Sequence, residues 1–161
     1  MWGSNEHGQI GTGSGAVIEP LPREIRGSLS GQRIRSVHLG GMHSLAVAED
    51  FAVYGWGSNT SGKLGLNDPQ EYPLPELVSC LSSKRIVELD CSLYHTACVS
   101  EMGVAFTLGD GALGKLGHGD DDTESYPRPI DDFHNFKVRS VACGIDHTLF
   151  LVEKAVTPFM R

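Results

Sequence analysis

Short apolar runs, separated by glycine, serine, aspartate and proline, dominate the hydrophobic pattern of this chain. They are rich in valine, isoleucine, phenylalanine and tyrosine and only a few residues long, which is typical of β-strands. The pattern predicts strands near 34–39, 44–49 and 52–57, then a glycine loop and an extended, proline-flanked edge strand at Leu74–Val78. No segment carries the stripe of an amphipathic helix, and only Pro75–Ser83 is expected to form a short helical turn.

The same pattern occurs three times along the chain, and this internal repeat is its strongest signal. Three histidines lie 52 residues apart, and each is followed by Ser or Thr and by an apolar run that ends in Glu. Glycine and proline pairs return in the same register. The predicted units are residues 2–50, 51–102 and 103–154, and residues 155–161 are a C-terminal tail. The structural landmarks of the repeat are His43, His95, His147, Gly57, Gly62, Gly65, Gly109, Gly114 and Gly117.

Four short antiparallel strands in a unit of this size are typical of one β-propeller blade. The predicted fold class is therefore all-β, built from propeller blades of four short antiparallel strands. A seven-bladed ring would need roughly 360 residues at this unit length, so the chain would supply about three units of it. We expect open edges, and either further sequence or partner chains that complete the ring.

Two stretches carry a resemblance to a known family. Residues 55–65 read GWGSNTSGKLG, residues 138–148 read VRSVACGIDHT, and Pro-x-Pro pairs lie between such segments. Together they resemble the repeat of the regulator of chromosome condensation family (RCC1-like), over essentially the whole chain. The resemblance implies a seven-bladed propeller whose sequence repeats are offset from its blades. The chain departs from the family pattern at Ser92, at Leu108 and in a longer basic loop at Pro22–Arg35.

The segment Gly109–Leu116, GDGALGKL, fits two nucleotide-binding patterns, G-x-G-x-x-G and G-x-x-x-x-G-K. A P-loop needs Ser or Thr after Lys115 as a magnesium ligand, and a leucine stands there. It also needs a following helix, and the sequence that follows is typical of a loop. Gly111 corresponds to Asn59 and Asn5, which predicts a turn with positive φ and not an approach to pyrophosphate. No cofactor is expected.

No catalytic or metal-binding set is apparent in the sequence. The repeated histidines belong to separate units around a ring, so they would not converge at the ~2 Å bond lengths that zinc requires. We expect them to hydrogen-bond the backbone between blades. Ser44 would point to the opposite strand face from His43, and Cys91 and Cys143 are predicted to be small buried packing residues. The chain is predicted to have no catalytic residues, no metal and no enzyme activity.

The charge of the chain restricts its partners. A net charge of −7 argues against direct nucleic-acid binding. The absence of an apolar run of ~20 residues argues against a membrane span. We expect an intracellular protein, cytoplasmic or nuclear, with protein partners. The candidate partner-binding residues are the charged loop residues that break the repeat: Arg23, Arg26, Arg33, Asp120, Asp121, Asp122 and Glu124.

The predicted function is a non-enzymatic protein–protein interaction or scaffold module. The family resemblance implies an alternative, guanine-nucleotide exchange on a small Ran-like GTPase, and a further one, docking to chromatin. The expected partner is accordingly a protein, such as a small GTPase or a larger assembly that completes the ring.

Overall fold

The computed structural model describes residues 1–154, and the predicted tail at 155–161 lies outside them. These residues form twelve strands, one α-helical turn and short 3-10 turns. The strands are β1 (Gly3–Ser4), β2 (Ile18–Glu19), β3 (Ile34–Leu39), β4 (His43–Ala48), β5 (Val53–Ser58), β6 (Glu71–Leu77), β7 (Ile86–Cys91), β8 (His95–Ser100), β9 (Ala105–Gly109), β10 (Glu124–Pro129), β11 (Phe136–Cys143) and β12 (Thr148–Lys154).

The strands are arranged as propeller blades, which confirms the predicted fold class. Strands β3–β6 form one four-stranded antiparallel sheet and β7–β10 form a second. These are the first and second complete blades. Strands β1 and β2 pair only with each other, as do β11 and β12. The chain therefore provides two complete blades flanked by two strand pairs, and each sequence repeat straddles two blades.

The middle strands of both complete blades are buried along their whole length. Every residue of β4, β5, β8 and β9 is shielded from solvent. Each blade is covered on both faces by its neighbours, so these strands lack the alternation of a half-exposed sheet and appear in the sequence as continuous apolar runs. This explains why runs such as SLAVA show no polar position.

The hydrophobic core lies between the blades and not within any one of them. Its largest cluster joins Leu45 and Leu64 of the first complete blade to Ile86 and Phe106 of the second. A second cluster surrounds Trp56, and a third joins the second complete blade to β11 and β12. Contact between successive blades is consequently what stabilises each blade.

The outer strands and the helical turn differ in detail from the prediction. Strand β6 extends over Glu71–Leu77 and includes Pro73 and Pro75, which an edge strand tolerates because one side of it needs no partner. The helix covers only Ser79–Ser82, so the predicted turn was too long at its N-terminal end. Among residues 1–154, no helix has the length and apolarity needed to cross a bilayer.

Candidate functional site

The repeated histidines connect one blade to the next through a hydroxyl group. His43 Nε2 lies 2.9 Å from Thr96 Oγ1 of the second complete blade, and that hydroxyl donates to the Lys63 carbonyl oxygen at 2.7 Å. The expectation that the histidines bond the backbone directly was wrong, because the hydroxyl stands between the ring and the carbonyl. The threonine bridges both blades.

The contact between the second complete blade and β12 repeats this arrangement. His95 Nε2 lies 2.8 Å from Thr148 Oγ1, which donates to the Lys115 carbonyl at 2.8 Å. The threonine proton is committed to a carbonyl that only accepts, so each histidine must donate from Nε2. The Nδ1 atoms are therefore unprotonated acceptors. We call each His–Thr–carbonyl set an interblade relay.

Both relay histidines are held in the neutral form. Burial and, as a smaller cause, the nearby Lys63 cation together lower the pKa of His43 to about 3. Burial also lowers the pKa of His95 to about 4, with the Lys115 cation as the second cause. A ring with so low a pKa, whose unprotonated Nδ1 is buried in His43 or bonded to Ser92 Oγ in His95, is a poor general base, so the relay has a structural role.

Ser92, one of the residues at which the chain departs from the family pattern, completes the second interblade relay. Ser92 Oγ lies 2.7 Å from His95 Nδ1 and supplies the donor that this acceptor needs. In the first complete blade Gly40 stands at the equivalent place, and His43 Nδ1 is buried without a hydrogen-bond partner. A Cβ on Gly40 would lie 2.2 Å from the Ser92 carbonyl oxygen, so a serine there has no room.

The turn before the second glycine loop is organised by the side chain of Asn59. Asn59 accepts from the Leu64 amide at 2.8 Å and donates to the Leu66 and Asp68 carbonyls. Its φ is −107°, and φ at Gly111 is −91°, so the predicted positive φ at this position was wrong. Glycine occurs at 111 because a Cβ there would lie 1.8 Å from the Asp122 carbonyl oxygen.

The six repeat glycines all adopt a left-handed backbone conformation. All have φ between 68° and 111°, a region that side chains other than glycine rarely adopt. We define the three glycine loops as Gly8–Gly11, Gly62–Gly65 and Gly114–Gly117. Leu64 and Leu116 in the second and third loops are buried, and Leu64 belongs to the largest hydrophobic cluster between the blades.

The lysine of each P-loop-like stretch is buried and faces protein groups. Lys115 forms an ion pair with Asp110 and lies 3.7 Å from Asp146, with its Nζ 5.4 Å from the Tyr94 ring centroid. Lys63 donates to Ser58 Oγ at 3.1 Å instead. The loop follows an antiparallel strand and leads into a 3-10 turn, so no helix N-terminus faces a phosphate.

The cysteines and the remaining titratable groups do not form a reactive centre. All four cysteines are free thiols, and burial raises the pKa of Cys91 and that of Cys143, the latter to about 12. Thiols of this kind are poor nucleophiles. In residues 1–154, no group of three or more His, Cys, Asp and Glu side chains is close enough to hold a metal ion.

The acidic loop, residues 120–124, is only partly neutralised. Arg128 pairs with Glu124 at 2.7 Å and with Asp120 at 3.5 Å. Asp121 and Asp122 are exposed and form no ion pair within the described part of the chain. Beside them Leu113 is 76% exposed at φ 63°, an unusual conformation for a bulky residue. This loop therefore presents unpaired negative charge next to an exposed apolar side chain.

The arginines of the basic loop are compensated differently. Arg23 pairs with Glu19, Arg26 with Glu24 and Arg33 with Glu49, at 3.3, 3.3 and 3.1 Å. The Arg26 and Arg33 pairs lie largely in solvent, where such contacts are weak and readily exchanged, whereas Glu19, the partner of Arg23, is buried. The two predicted sets are not paired with each other: the three arginines pair with Glu19, Glu24 and Glu49, and the acidic loop pairs with Arg128.

Sequence reasoning missed the two relay threonines as functional links. Their signal was present, because a hydroxyl residue follows the histidine in all three units. The hydrogen bonds of the threonine could be recognised only once the contact between blades was known. Thr96 bonds a histidine 53 positions earlier and a carbonyl 33 positions earlier.

The comparisons with known proteins agree with this geometry. The family model of the regulator of chromosome condensation (RCC1) repeat matches residues 1–47, 52–99 and 102–151. The chain belongs to the RCC1 repeat family. The three matches confirm the three predicted repeats, whose finer unit boundaries stay a prediction.

Relatives and solved structures extend the comparison. The human probable E3 ubiquitin-protein ligase HERC3 is 38% identical over 96% of this chain and 15% of its own length. The Arabidopsis thaliana ultraviolet-B receptor UVR8 is 34% identical over 94% of this chain and 34% of its own. The Saccharomyces cerevisiae Prp20p structure superposes with a TM-score of 0.84 at 22% identity, over 96% of this chain and 39% of its own. The chain therefore spans well under half of each, and the structural likeness shows a shared propeller fold.

Proposed function

We propose that this chain is a non-enzymatic protein-interaction module that docks a basic protein partner on its acidic loop. The observation that carries the proposal is the contrast between the two charged loops. The candidate arginines already have glutamate partners, whereas Asp121 and Asp122 have none within residues 1–154. Unpaired surface charge of one sign raises the association rate and selects the sign of the partner.

The neighbouring apolar residue adds an anchor to this charge. Leu113 and the acidic residues Asp120 and Asp121 line a shallow depression of about 320 Å³. Ser61, one unit earlier, has the same left-handed conformation, so what distinguishes Leu113 is a large apolar side chain that is exposed at this place. The proposed partner therefore offers lysine or arginine together with an apolar side chain.

The histidine ring nitrogens and the loop lysine, which could otherwise act as bases or bind phosphate, are already buried or engaged by other protein groups. The basic ring nitrogen, Nδ1, is buried in His43 and bonded to Ser92 Oγ in His95, and Lys115, which would bind phosphate, pairs with a carboxylate. Several relatives are E3 ligases, but this chain matches only 14–15% of the length of HERC3 and HERC4. We propose that the repeats contribute binding and not transfer chemistry.

Two alternative functions are suggested by proteins with the same fold. The yeast Prp20p structure is described together with its binding properties to Gsp1p and histones. Docking to histones fits an acidic loop, since histones are strongly basic. Exchange on a small Ran-like GTPase is the weaker alternative, because fold likeness alone supports it. Release of labelled GDP from such a GTPase, unchanged by this chain, would exclude it.

Core histones are therefore the probe for the main proposal. Binding to labelled histones is measured by fluorescence anisotropy for the wild type and for the double variant Asp121→Lys/Asp122→Lys. The matched control is Asp131→Lys/Asp132→Lys, a second exposed acidic pair, and both variants change the net charge from −7 to −3. We expect the first to weaken binding about tenfold or more and the control by about twofold. Equal losses of histone affinity in the two double variants would show that only the net charge matters, and would contradict the proposal.

A further inference from the structure

The basic loop, Pro22–Arg35, departs from the repeat and takes no part in the proposed docking of a basic partner. Up to residue 33 it contains no strand, and its regular structure is a 3-10 turn at Gly27–Leu29. Two backbone hydrogen bonds, of 2.9 and 3.0 Å, hold the stretch 26–32 together. Exposed backbone with so few hydrogen bonds opens at a low free energy, so an enzyme can draw this segment out into an extended conformation.

Ser28 is the middle residue of that turn, and its side chain is exposed to solvent. The neighbouring residues Ile25 and Leu29 pack against the hydrophobic cluster around Trp56 and so attach the turn to the first complete blade. The apolar residues of the turn therefore face the protein, while the Ser28 hydroxyl is accessible to a second protein.

Two arginines precede this serine at short spacing. Arg26 lies two residues before Ser28 and Arg23 five residues before it, and their side chains are 81% and 60% exposed. Each arginine bonds one glutamate at 3.3 Å through Nε, and a guanidinium has four further N–H donors. Both side chains can therefore bind carboxylates of another protein.

A second serine lies near arginines in the sequence, but the fold makes it inaccessible. Ser36 follows Arg33 by three residues and Arg35 by one. It lies within β3, where it pairs with Val47 of β4, and its Oγ lies 2.9 Å from His38 Nε2. To draw out this segment, an enzyme would have to open the sheet of the first complete blade. The structure thus separates two serines whose flanking charges are alike.

We propose that Ser28 is a phosphorylation site for a protein kinase that recognises arginines on the N-terminal side of its target serine. Kinases discriminate between substrates by the pattern of charge around the hydroxyl, and a peptide cleft lined by carboxylates selects arginine. Arg23 and Arg26 supply this charge, and the weakly held turn supplies the accessible hydroxyl. The proposal rests neither on the acidic loop nor on histone binding, so either proposal can fail without the other.

The reaction is transfer of the γ-phosphoryl group of ATP. A bond forms between Ser28 Oγ and the γ-phosphorus while the bond from that phosphorus to the bridging oxygen of ADP breaks. ADP leaves, and the serine proton passes to the catalytic aspartate of the kinase. The phosphate adds a charge of about −2 at neutral pH. Because each of the loop arginines Arg23, Arg26 and Arg33 already has a glutamate partner, phosphorylation would turn a compensated surface into a negative one.

The test is phosphorylation of the folded full chain by the catalytic subunit of cAMP-dependent protein kinase, which prefers arginine before serine, with labelled ATP. We expect one phosphoryl group per chain. Trypsin releases the segment 27–33, and its fragmentation in a mass spectrometer distinguishes Ser28 from Ser30. Ser28→Ala should abolish incorporation. Ser30→Ala, which changes the next exposed serine of the same loop, is the matched control and should be phosphorylated as the wild type is.

Replacing the two arginines tests whether their charge directs the kinase. Arg23→Gln/Arg26→Gln should lower kcat/KM for phosphorylation about tenfold or more, because two charge-assisted hydrogen bonds to the kinase are lost. Arg33→Gln, on the C-terminal side of the serine, is the matched control and should lower it by about twofold or less. Absence of label on Ser28, or an unchanged rate in the double variant, would overturn the proposal.

Two other hydroxyl residues of the wild type provide internal controls. Thr123 is exposed in the acidic loop but follows three aspartates, and Ser36 follows arginines but lies in a strand. Neither should be labelled in the folded chain. Label on Thr123 would show that flanking charge does not select the site, and label on Ser36 in place of Ser28 would show that accessibility does not. Either result would contradict the assignment of Ser28.

Discussion

The second and third glycine loops have nearly the same backbone and bury the same residue, but they compensate its charge differently. Lys115 pairs with Asp110 and contacts the Tyr94 ring. Lys63 is equally buried but has Ser58 at the position of Asp110, and it forms no ion pair within residues 1–154. Burial without a carboxylate lowers the pKa of Lys63 to about 8.

This difference shows which part of the repeat determines the fold. The interblade relay uses the lysine carbonyl, and that carbonyl is present whatever the side chain does. In the first loop the position is Gln9, whose carbonyl accepts Ser44 Oγ and Trp56 Nε1. The backbone contact is therefore common to all three loops, whereas the side chain adjusts local stability.

The relay itself should have the largest effect on stability. Thr96→Val keeps the side-chain shape but removes the hydroxyl, and it leaves the His43 ring N–H and the Lys63 carbonyl buried without their partner. We expect the free energy of unfolding to fall by about 2–4 kcal/mol, because each buried polar group loses about 1–3 kcal/mol when unpaired. Urea denaturation followed by circular dichroism measures this.

The matched control is Thr148→Val in the second relay. Thr148 is only partly buried, so water can replace the hydroxyl, and we expect a loss of about 1 kcal/mol or less. Equal losses in the two variants would mean that burial does not govern the relay.

Much of this architecture was accessible from the sequence because it repeats. The strand positions followed from apolar runs, and the three repeats followed from the recurrence of residues such as Gly57 and Gly109. A residue type that recurs in every repeat indicates that the repeats have the same backbone conformation, because the backbone is what successive propeller blades have in common.

Contacts that depend on a single copy were not accessible in the same way. Asn59 and Gly111 stand at one position for unrelated reasons, one for its amide hydrogen bonds and the other for space beside the Asp122 carbonyl. Their shared backbone preference suggested a positive φ that neither has. The neutralisation of Asp120 by Arg128, with Asp121 left unpaired, also depends on side-chain directions in a folded loop.

Replacing each lysine with methionine should sharpen the comparison of the two loops. Lys115→Met leaves the Asp110 carboxylate without its cation, and we expect a loss of about 1 kcal/mol. Lys63→Met removes a buried cation that has no counter-ion and keeps the apolar stem, so stability should be unchanged or higher by up to about 1 kcal/mol. Unfolding in urea at neutral pH measures both, and losses of equal size would refute the asymmetry.

The pH dependence gives the same comparison an independent readout. The folded pKa of Lys63 is about 8 and its ordinary value is 10.5, so between these values the unfolded chain binds a proton that the folded chain has lost. Stability of the wild type should therefore rise with pH across this window. Lys63→Met should lack that part of the rise. An unchanged pH profile in the variant would show that Lys63 is not the group responsible.

The smallest expected effect concerns the difference between the two histidines. Ser92→Gly gives the second relay the same residue as the first, where His43 Nδ1 has no partner, by removing the donor to His95 Nδ1. The reverse change at Gly40 is blocked by the Ser92 carbonyl, so the comparison can be made in one direction only. We expect a loss of about 1 kcal/mol, since one neutral hydrogen bond is lost while the Nε2 bond to Thr148 remains. Nitrogen chemical shifts of the His95 ring provide the decisive measurement: Nε2 should stay protonated in the variant, and a proton transferred to Nδ1 would show that Ser92, and not the threonine, fixes the tautomer.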